Sequence, residues 1–560
     1  MNTKKTRYAR IWTCIQHGLE GVPAEMEVSI LPGLPSVDLV GLCDSSIRDA
    51  KERVRSAIRQ AGYAFPSARI TVGISPAYLH KSGSHFDLPL ALCLLIASGQ
   101  ILIPPDFRIA AFGELTITGI VRDTPGALSC LSSVAEGNPD IILVPAANRK
   151  ESELLGVVVR PVCSLIDAIK NISPSSILPN CNQEPATEHS CIASEIDQRT
   201  GEVPCNAISN STSYIEEDLP DFSLLKGQEK AGRALVLSAA GFHNLLLIGS
   251  PGSGKTTAAS ILRGLLPPLT ISEKIQLLKI RGVSQRLETE DLSNNLRPFR
   301  YVHHSCTATE MLGDKRKALP GELAYASHGI LFLDEMAEFS ARVLDLLRQP
   351  LENRSVTFYG NDLLRIIPSH FLLLGAMNPC RCGRYLDSPS SCTCDNTHRR
   401  HYERRISGPL LDRIDLFCEM YRVEKKGLYE SVSSNKSFES RHIREEVARC
   451  WNLQIRRCKS AGIEPALNGE AINIRLGELY RIPESVLEYS ASTADRLSIS
   501  ARGLNRLLRV SRTIADLEDV EDVSPKHVAE ALLFRRKETD SESIVRLPTS
   551  INRGKVYAGK

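Results

Sequence analysis

Apolar positions along this chain recur with two periods, and the places where the period changes divide it into units. In the first unit, Glu25–Ile30 (EMEVSI) and Ser36–Val40 (SVDLV) alternate apolar and polar residues, as half-buried strands do. From Ser45 to Ala61 the spacing becomes three and four. Ile47, Ala50, Val54, Ala57, Ile58 and Ala61 then share one face, which predicts an amphipathic helix. Arg69–Ile74, Ile109–Gly113, Leu115–Ile117 and Ile141–Val144 predict further strands, and Leu88–Ala97 predicts an apolar helix. Residues 1–170 therefore read as a mixed α/β domain. A second unit, residues 221–425, opens with a helical stretch, Gly227–Gly241. It then carries three unbroken apolar runs, at Leu245–Ile248, Ile330–Leu333 and Phe371–Met377, as strands of a sheet buried on both faces do. Ser355–Tyr359 and Leu363–Ile367, joined through Gly360-Asn361-Asp362, predict a β-hairpin. Towards the end, Ser500–Leu517 returns to helical spacing. The fold class is α/β and multidomain.

Composition changes this picture in few places. A chain of 560 residues is too long for one ordinary domain. Hydrophobic content of 42% and charged content of 24% are those of a globular protein. Net charge is only +3, so contact with nucleic acid would need local basic surface. No stretch approaches the roughly 18 apolar residues of a membrane span, and the N-terminus lacks an apolar signal core, so the expected location is the cytoplasm and no membrane partner is expected. Residues 171–220 are rich in Ser, Asn, Pro and Thr with no surviving period, which predicts a flexible interdomain linker. Of sixteen cysteines, twelve are scattered, among them Cys14, Cys43, Cys93 and Cys130, and are expected as buried reduced thiols. Cys181, Cys191 and Cys205 in the linker lack histidines at ligand spacing and predict no metal site.

The chemistry centres on Leu245–Thr257, LLLIGSPGSGKTT. Gly249-Ser250-Pro251-Gly252-Ser253-Gly254-Lys255-Thr256 satisfies G-x-x-x-x-G-K-[ST], directly after a strand. The glycines let backbone N–H groups face a polyphosphate, and Lys255 reaches its β- and γ-phosphates. Thr256, followed by Thr257, can hold Mg²⁺, and the next helix points its positive end at the anion. About 80 residues on, the run Ile330–Leu333 delivers Asp334 and Glu335 to a strand end, where open α/β sheets bind ligands. Asp334 supports Mg²⁺, and Glu335 polarises the attacking water as general base. ATP and Mg²⁺ are the expected cofactors, and the chain is expected to be an ATPase.

Several stretches carry a family resemblance. Gly33–Leu42 (GLPSVDLVGL), Phe86–Ala91 (FDLPLA), Phe112–Leu115 (FGEL), Asn294–His304 (NNLRPFRYVHH), Leu347–Glu352 and Met377–Cys380 look like the ComM/YifB group of magnesium-chelatase-like AAA+ proteins, over nearly the whole chain. The resemblance implies that residues 1–170 have the fold of the Lon protease catalytic domain. Lon's nucleophile position is here His85, within Lys81–Asp87 (KSGSHFD), and its lysine base falls near Ala127–Leu128, where no lysine stands. Without nucleophile and base there is no acyl transfer; His85 is expected as a surface or packing residue, and Ser84 as pointing elsewhere. The resemblance further implies that Gln228 lies near the adenine, that Asn378 is a sensor orienting the lytic water, and that 426–540 forms a helical lid followed by a tail at 541–560. Arg502 on that lid would bridge to the γ-phosphate. Arg413, within Ser407–Leu416 (SGPLLDRIDL), would be an arginine finger reaching a neighbour's nucleotide, which implies a ring, a homo-hexamer. The hairpin would project toward the pore, where Arg354 and Arg365 either meet a phosphate backbone or remain solvated charges. The implied function is a DNA motor driving translocation, branch migration or unwinding in recombination and natural transformation. The alternative is a chelatase-like motor that remodels a protein partner.

Two local features remain. Cys380-x-Cys382 and Cys392-x-Cys394, with nine residues between, are candidate ligands of one tetrahedral Zn²⁺ in an insertion at 380–394; free thiols are the other reading. His303 and His304 read first as structural loop residues, with ligation or contact with substrate as the other reading. His398–Arg405 (HRRHYERR) is the densest basic run and suits either nucleic acid or inter-subunit ion pairs beside Arg413.

Overall fold

The computed structural model describes residues 7–173 and 219–535, apart from 42–43, 82, 105, 226, 285–286, 315–318, 361–362, 387–391, 423–435 and 471–478. The N-terminal unit is a seven-stranded sheet. Its strands are β1 (Tyr8–His17), β2 (Glu20–Leu31), β3 (Ser36–Val40), β4 (Arg69–Ser75), β5 (Ile109–Ala111), β8 (Ile141–Pro145) and β9 (Arg160–Val162), in the order β3-β4-β2-β1-β5-β8-β9. Between them β6 (Glu114–Leu115) and β7 (Val121–Arg122) make a two-residue hairpin. The β1–β2 and β2–β4 pairs are antiparallel and the remaining pairs of the large sheet are parallel. Alternation along β1 sends Ile11 and Ile15 into one core, where the helices Ser45–Gln60 and Asp87–Ala97 pack. Cys14 enters a second core with the helix Ala127–Glu136. The helix Asp87–Ala97 is apolar all round because it is buried all round. The strand expected to run through Gly113 stops at Ala111, since Gly113 takes φ 156° and donates its N–H to the His85 carbonyl at 2.9 Å.

The second sheet has five parallel strands: β10 (Leu245–Gly249), β11 (Phe299–Val302), β14 (Ile330–Leu333), β17 (Leu372–Met377) and β18 (Leu416–Met420), in the order β11-β14-β17-β10-β18. The period of two decides which face each residue serves. Leu245, Leu247, Ile330 and Phe332 face a core shared with the helices Glu229–Gly241 and Lys255–Leu265, while Leu246, Leu331 and Leu333 face the opposite one. Each such leucine or isoleucine is at most 1% exposed, and burying one contributes about 1.5–3 kcal/mol. A two-residue ladder, β12 (Gly313–Asp314) with β13 (Leu319–Pro320), and the expected hairpin, β15 (Ser355–Gly360) with β16 (Leu363–Pro368), lie outside this sheet.

Helices Lys436–Ser460, Glu484–Arg496, Ala501–Leu517 and Pro525–Leu532 close the first of these cores. Trp451 donates its indole N–H to the Ala239 carbonyl at 2.9 Å. Arg512, 1% exposed, is satisfied by Asp516 and by the carbonyls of Tyr480, Val520 and Glu521.

The two sheets share an interface. Leu19, in the turn between β1 and β2, is buried among residues of the second unit such as Ile280, and Lys279 pairs with Glu20 at 2.7 Å. Helix Leu165–Ile172 carries order through Asn171, past the expected start of the linker; residues 174–218, with Cys181, Cys191 and Cys205, lie outside the described residues, as does the tail 541–560. Among the described residues no helix is long and apolar enough to cross a membrane.

The scattered cysteines depart from the expected reduced state at one pair. Cys14 and Cys130 are joined as a disulfide, with Cα atoms 5.4 Å apart, because the helix Ala127–Glu136 lies directly on β1 and β2. Cys93, Cys418, Cys450 and Cys458 are buried free thiols as expected, whereas the free thiols Cys163 and Cys306 are exposed and half-buried, respectively.

Candidate nucleotide site

β10 runs out at Gly249, and the chain turns through Ser250–Gly254 into the helix that starts at Lys255. Gly252 and Gly254 take φ of +79° and +91°, a region closed to most side chains, so the turn requires glycine at both. Lys255 Nζ lies 2.7 Å from the Gly249 carbonyl, 3.1 Å from that of Ser250 and 3.3 Å from Asn378 Oδ1. The loop's lysine and the amide at the tip of the neighbouring strand β17 therefore meet. Ser250 and Ser253 are buried, and among the described residues their hydroxyls have no hydrogen-bond partner. A loop of backbone donors with two unsatisfied hydroxyls and an ammonium is suited to a polyphosphate. Pro251, Thr256 and Thr257 are exposed around it.

Asp334 and Glu335 follow β14, one strand beyond β17. Asp334 is half-buried and accepts the Glu335 N–H at 2.9 Å, while Glu335 is exposed with φ 49°. A hydroxyl at Thr256 and a partly exposed carboxylate at Asp334 are hard oxygen donors that fit Mg²⁺, which would keep most of its waters there. One residue near this centre had a loop role as its favoured reading. His304 follows the end of β11, which pairs with β14, and its Nδ1 lies 3.7 Å from Glu335 Oε2. Its position just past a strand is the signal for the alternative reading, contact with the site, but the pairing of β11 with β14 is invisible in sequence.

Arg413 lies at the opposite, N-terminal end of the strands. β10 and β18 run parallel, with Leu245 beside Leu416 and Gly249 beside Met420. The P-loop leaves the C-terminal end of β10, whereas Arg413 precedes β18 and its carbonyl accepts from Asn244, just before β10. At about 3.3 Å per residue the strand separates them by roughly 15 Å. The Arg413 guanidinium is 11% exposed, bonded to the Arg348 carbonyl at 3.0 Å and paired with Glu352. Arg502 stands exposed on the first turn of the helix Ala501–Leu517, while Arg506 turns inward to 3.5 Å from Asp415. Gln228, buried, donates to the Tyr421 carbonyl.

Other expectations need correction. Arg354 is half-buried at the base of the hairpin and donates to the Glu470 carbonyl, so it is neither a solvated charge nor directed at a phosphate chain. Burial alone would raise the Glu470 carboxyl, but His370 and Arg354 overcome it and hold it at about 2. The Arg365 side chain lies outside the described residues. In the N-terminal unit, His85 takes the packing role of its two expected ones: it is buried, and its Nε2 lies 3.0 Å from the Cys14 carbonyl; burial pushes its pKa down to about 4. Ser84 hydrogen bonds to the Glu114 carboxylate, and the buried Lys81 ammonium is held by the carbonyls of Pro76 and Ala77. From the basic run, Arg405 pairs with Glu338 at 2.6 Å and Arg399 stacks on Tyr385, while His398, Arg400, His401 and Arg404 are exposed.

The sulfurs of Cys380, Cys382 and Cys392 lie 3.4–3.8 Å apart, and that of Cys394 within 4.8 Å of them. The Arg384 backbone N–H holds the Cys382 thiol down at about 6.

Comparison with known proteins agrees with this geometry along the chain. Residues 221–428 match the model of magnesium chelatase, subunit ChlI; residues 26–148 match that of subunit ChlI of Mg-chelatase, and 437–535 that of the ChlI C-terminal region. An uncharacterized protein YifB of Salmonella typhimurium is 35% identical, over 92% of this chain and 95% of its own. The competence protein ComM of Haemophilus influenzae is 31% identical, over 94% of this chain and 97% of its own. The chain belongs to the ComM/YifB family of magnesium-chelatase-like AAA+ proteins. A magnesium-chelatase 38 kDa subunit of Cereibacter sphaeroides is 26% identical over 55% of this chain, a more distant relative within the same AAA+ lineage. The ComM/YifB family implies an ATPase that uses ATP with Mg²⁺.

Proposed function

We propose that this chain is the repeating subunit of a homo-hexameric AAA+ ring in the cytoplasm that couples ATP hydrolysis to movement on DNA, as translocation, branch migration or unwinding during recombination of incoming DNA. One observation carries the ring: Arg413 and the P-loop lie at opposite ends of two adjacent parallel strands, β18 and β10, which supports an arginine supplied to each nucleotide by a neighbour. A cation there stabilises charge on the transferring phosphoryl group. In this reading Lys255 and the backbone of 249–256 hold the phosphates, and Thr256 and Asp334 hold Mg²⁺. Glu335 activates water, Asn378 orients it, and Arg502, on a C-terminal helical lid, reaches the γ-phosphate. The N-terminal unit has the Lon-type fold without its chemistry, since His85 stands at the nucleophile position and no lysine stands near Ala127–Leu128.

DNA as the substrate is supported by kinship with the competence protein ComM over nearly the full length of both chains and by the exposed cations of 398–404. A chelatase-like motor acting on a protein partner is the second reading, favoured by the matches to chelatase subunit models in all three parts of the chain. ATPase rates measured with and without single-stranded and forked DNA separate the two, with Lys255→Ala as control. Stimulation by DNA is expected. Absence of both binding and stimulation at low salt, where phosphate contacts are strongest, sinks the DNA reading.

A further inference from the structure

We propose that Cys380, Cys382, Cys392 and Cys394 bind one Zn²⁺, and that this clasp sets the P-loop by pressing Gly383 against Pro251. Four Zn–S bonds of about 2.3 Å in a tetrahedron place sulfurs about 3.8 Å apart. The three closest sulfurs here are 3.4, 3.5 and 3.8 Å apart, and all four ligand atoms lie within 4.8 Å of one another. All four are free thiols, so no S–S bond accounts for their convergence. On binding, each sulfur exchanges its proton for a bond to zinc and the protons pass to solvent. The resulting formal charge of −2 is matched by Arg381 and Arg384 in the same loop.

The position of the clasp gives it a second role. Cys380 is buried two residues after Asn378, at the end of β17. Cys394 comes just before the helix Asn396–Glu403, whose Tyr402 is buried in the ATPase core. Between them Gly383 takes φ +77° and donates its N–H to the Cys380 carbonyl at 3.0 Å. A Cβ at that position would stand 2.7 Å from Pro251 Cδ, an impossible contact, and 4.0 Å from Asn378 Cγ. The first turn of the clasp therefore lies flush on the middle of the phosphate loop, beside the amide that contacts Lys255. With the metal present, the turn is fixed and Pro251 has a wall; without it, only the Gly383–Cys380 hydrogen bond and weak thiol contacts close the turn.

The coupling rests on reading 249–256 as the nucleotide site, and the test keeps the two apart. The full chain is purified under reductant without chelator, and zinc is measured by elemental mass spectrometry. One zinc per chain is expected, lost in Cys392→Ser/Cys394→Ser. Cobalt substitution is expected to give the visible absorption of a tetrahedral thiolate site. Affinity for a fluorescent ADP analogue is then expected to fall about tenfold both in zinc-stripped protein and in Gly383→Ala, which keeps its zinc. Circular dichroism confirms that both remain folded. Substoichiometric zinc after reconstitution overturns the metal site. Wild-type affinity in stripped protein and in zinc-loaded Gly383→Ala overturns the coupling. A wild-type chain that holds zinc but binds no nucleotide overturns the nucleotide reading and the coupling with it, while the metal site stands.

Discussion

Arg413 offers a test whose outcome can be counted. Its own P-loop is roughly 15 Å away along the strands, so in this reading it does not complete the site on its own chain. Arg413→Ala removes the cation supplied to a neighbour, and turnover is expected to fall by about 10³ or more. Lys255→Ala instead empties the chain's own site and leaves its Arg413 intact. Each variant alone assembles with no working site. In a ring built from equal amounts of the two, a site works only where an Arg413→Ala chain faces a Lys255→Ala chain on the side that supplies the arginine. Random placement gives that arrangement at about one site in four. Steady-state ATPase assays on mixtures co-assembled from dissociated chains should therefore recover about a quarter of the wild-type rate, if neighbouring sites act independently. An arginine acting within its own chain predicts no recovery at any ratio, and that result would refute the reasoning. Glu352→Ala is the control for structure, since it frees Arg413 from its ion pair without removing the guanidinium.

Glu335→Gln should keep nucleotide affinity and lower hydrolysis by about 10²–10⁴, read by equilibrium binding beside phosphate release. His85 is neutral in the fold, with its pKa down at about 4 against 6.5 when exposed. The unfolded chain therefore takes up the proton first, and stability is lost as pH falls through the window from 6.5 to 4. By pH 5 the loss from this residue should reach about 2 kcal/mol, seen as faster hydrogen exchange in β1 and the helix Asp87–Ala97 and flattened in His85→Gln. Unchanged protection between pH 7.5 and 5 counts against it. Leu331→Ala, in a core position with no exposure, should cost about 2–5 kcal/mol in chemical denaturation while leaving the P-loop residues untouched.

What could be read from the sequence was what is local. The loop Gly249–Thr256 announces itself because glycine spacing, lysine and threonine act within eight residues, and the hairpin at 355–368 because its turn chemistry sits between two strands. The four thiols converge within fifteen residues, and they too were visible. Contacts fixed by strand order were not. Glu335 and His304 are brought near each other only because β11 lies beside β14, and the period of two says nothing about which strand is a neighbour. Cys14 and Cys130 are 116 residues apart, and their pairing depends on which face of the sheet the helix Ala127–Glu136 covers. Arg354 looked like a free cation because its acceptor, the Glu470 carbonyl, belongs to a segment 116 residues away. The roles of Arg413 and Arg502 came from kinship alone, since an arginine on a helix or turn carries no local mark of its target.

Leu19 decides how this protein can be cut. The ATPase residues look separable, beginning after the polar stretch at 171–220, and dissection at that boundary is the obvious route to a minimal motor. Yet the tip of the β1–β2 turn is part of the motor's own interior, packed with Ile280, and its neighbour Glu20 neutralises Lys279. A truncated chain starting near residue 219 would carry a leucine-sized hole and an uncovered helix, Ile271–Ser284, on the flank of its catalytic sheet. A weak or aggregating fragment would then report a missing plug rather than a regulatory role for the first domain, and the two halves are better compared by point substitution than by deletion.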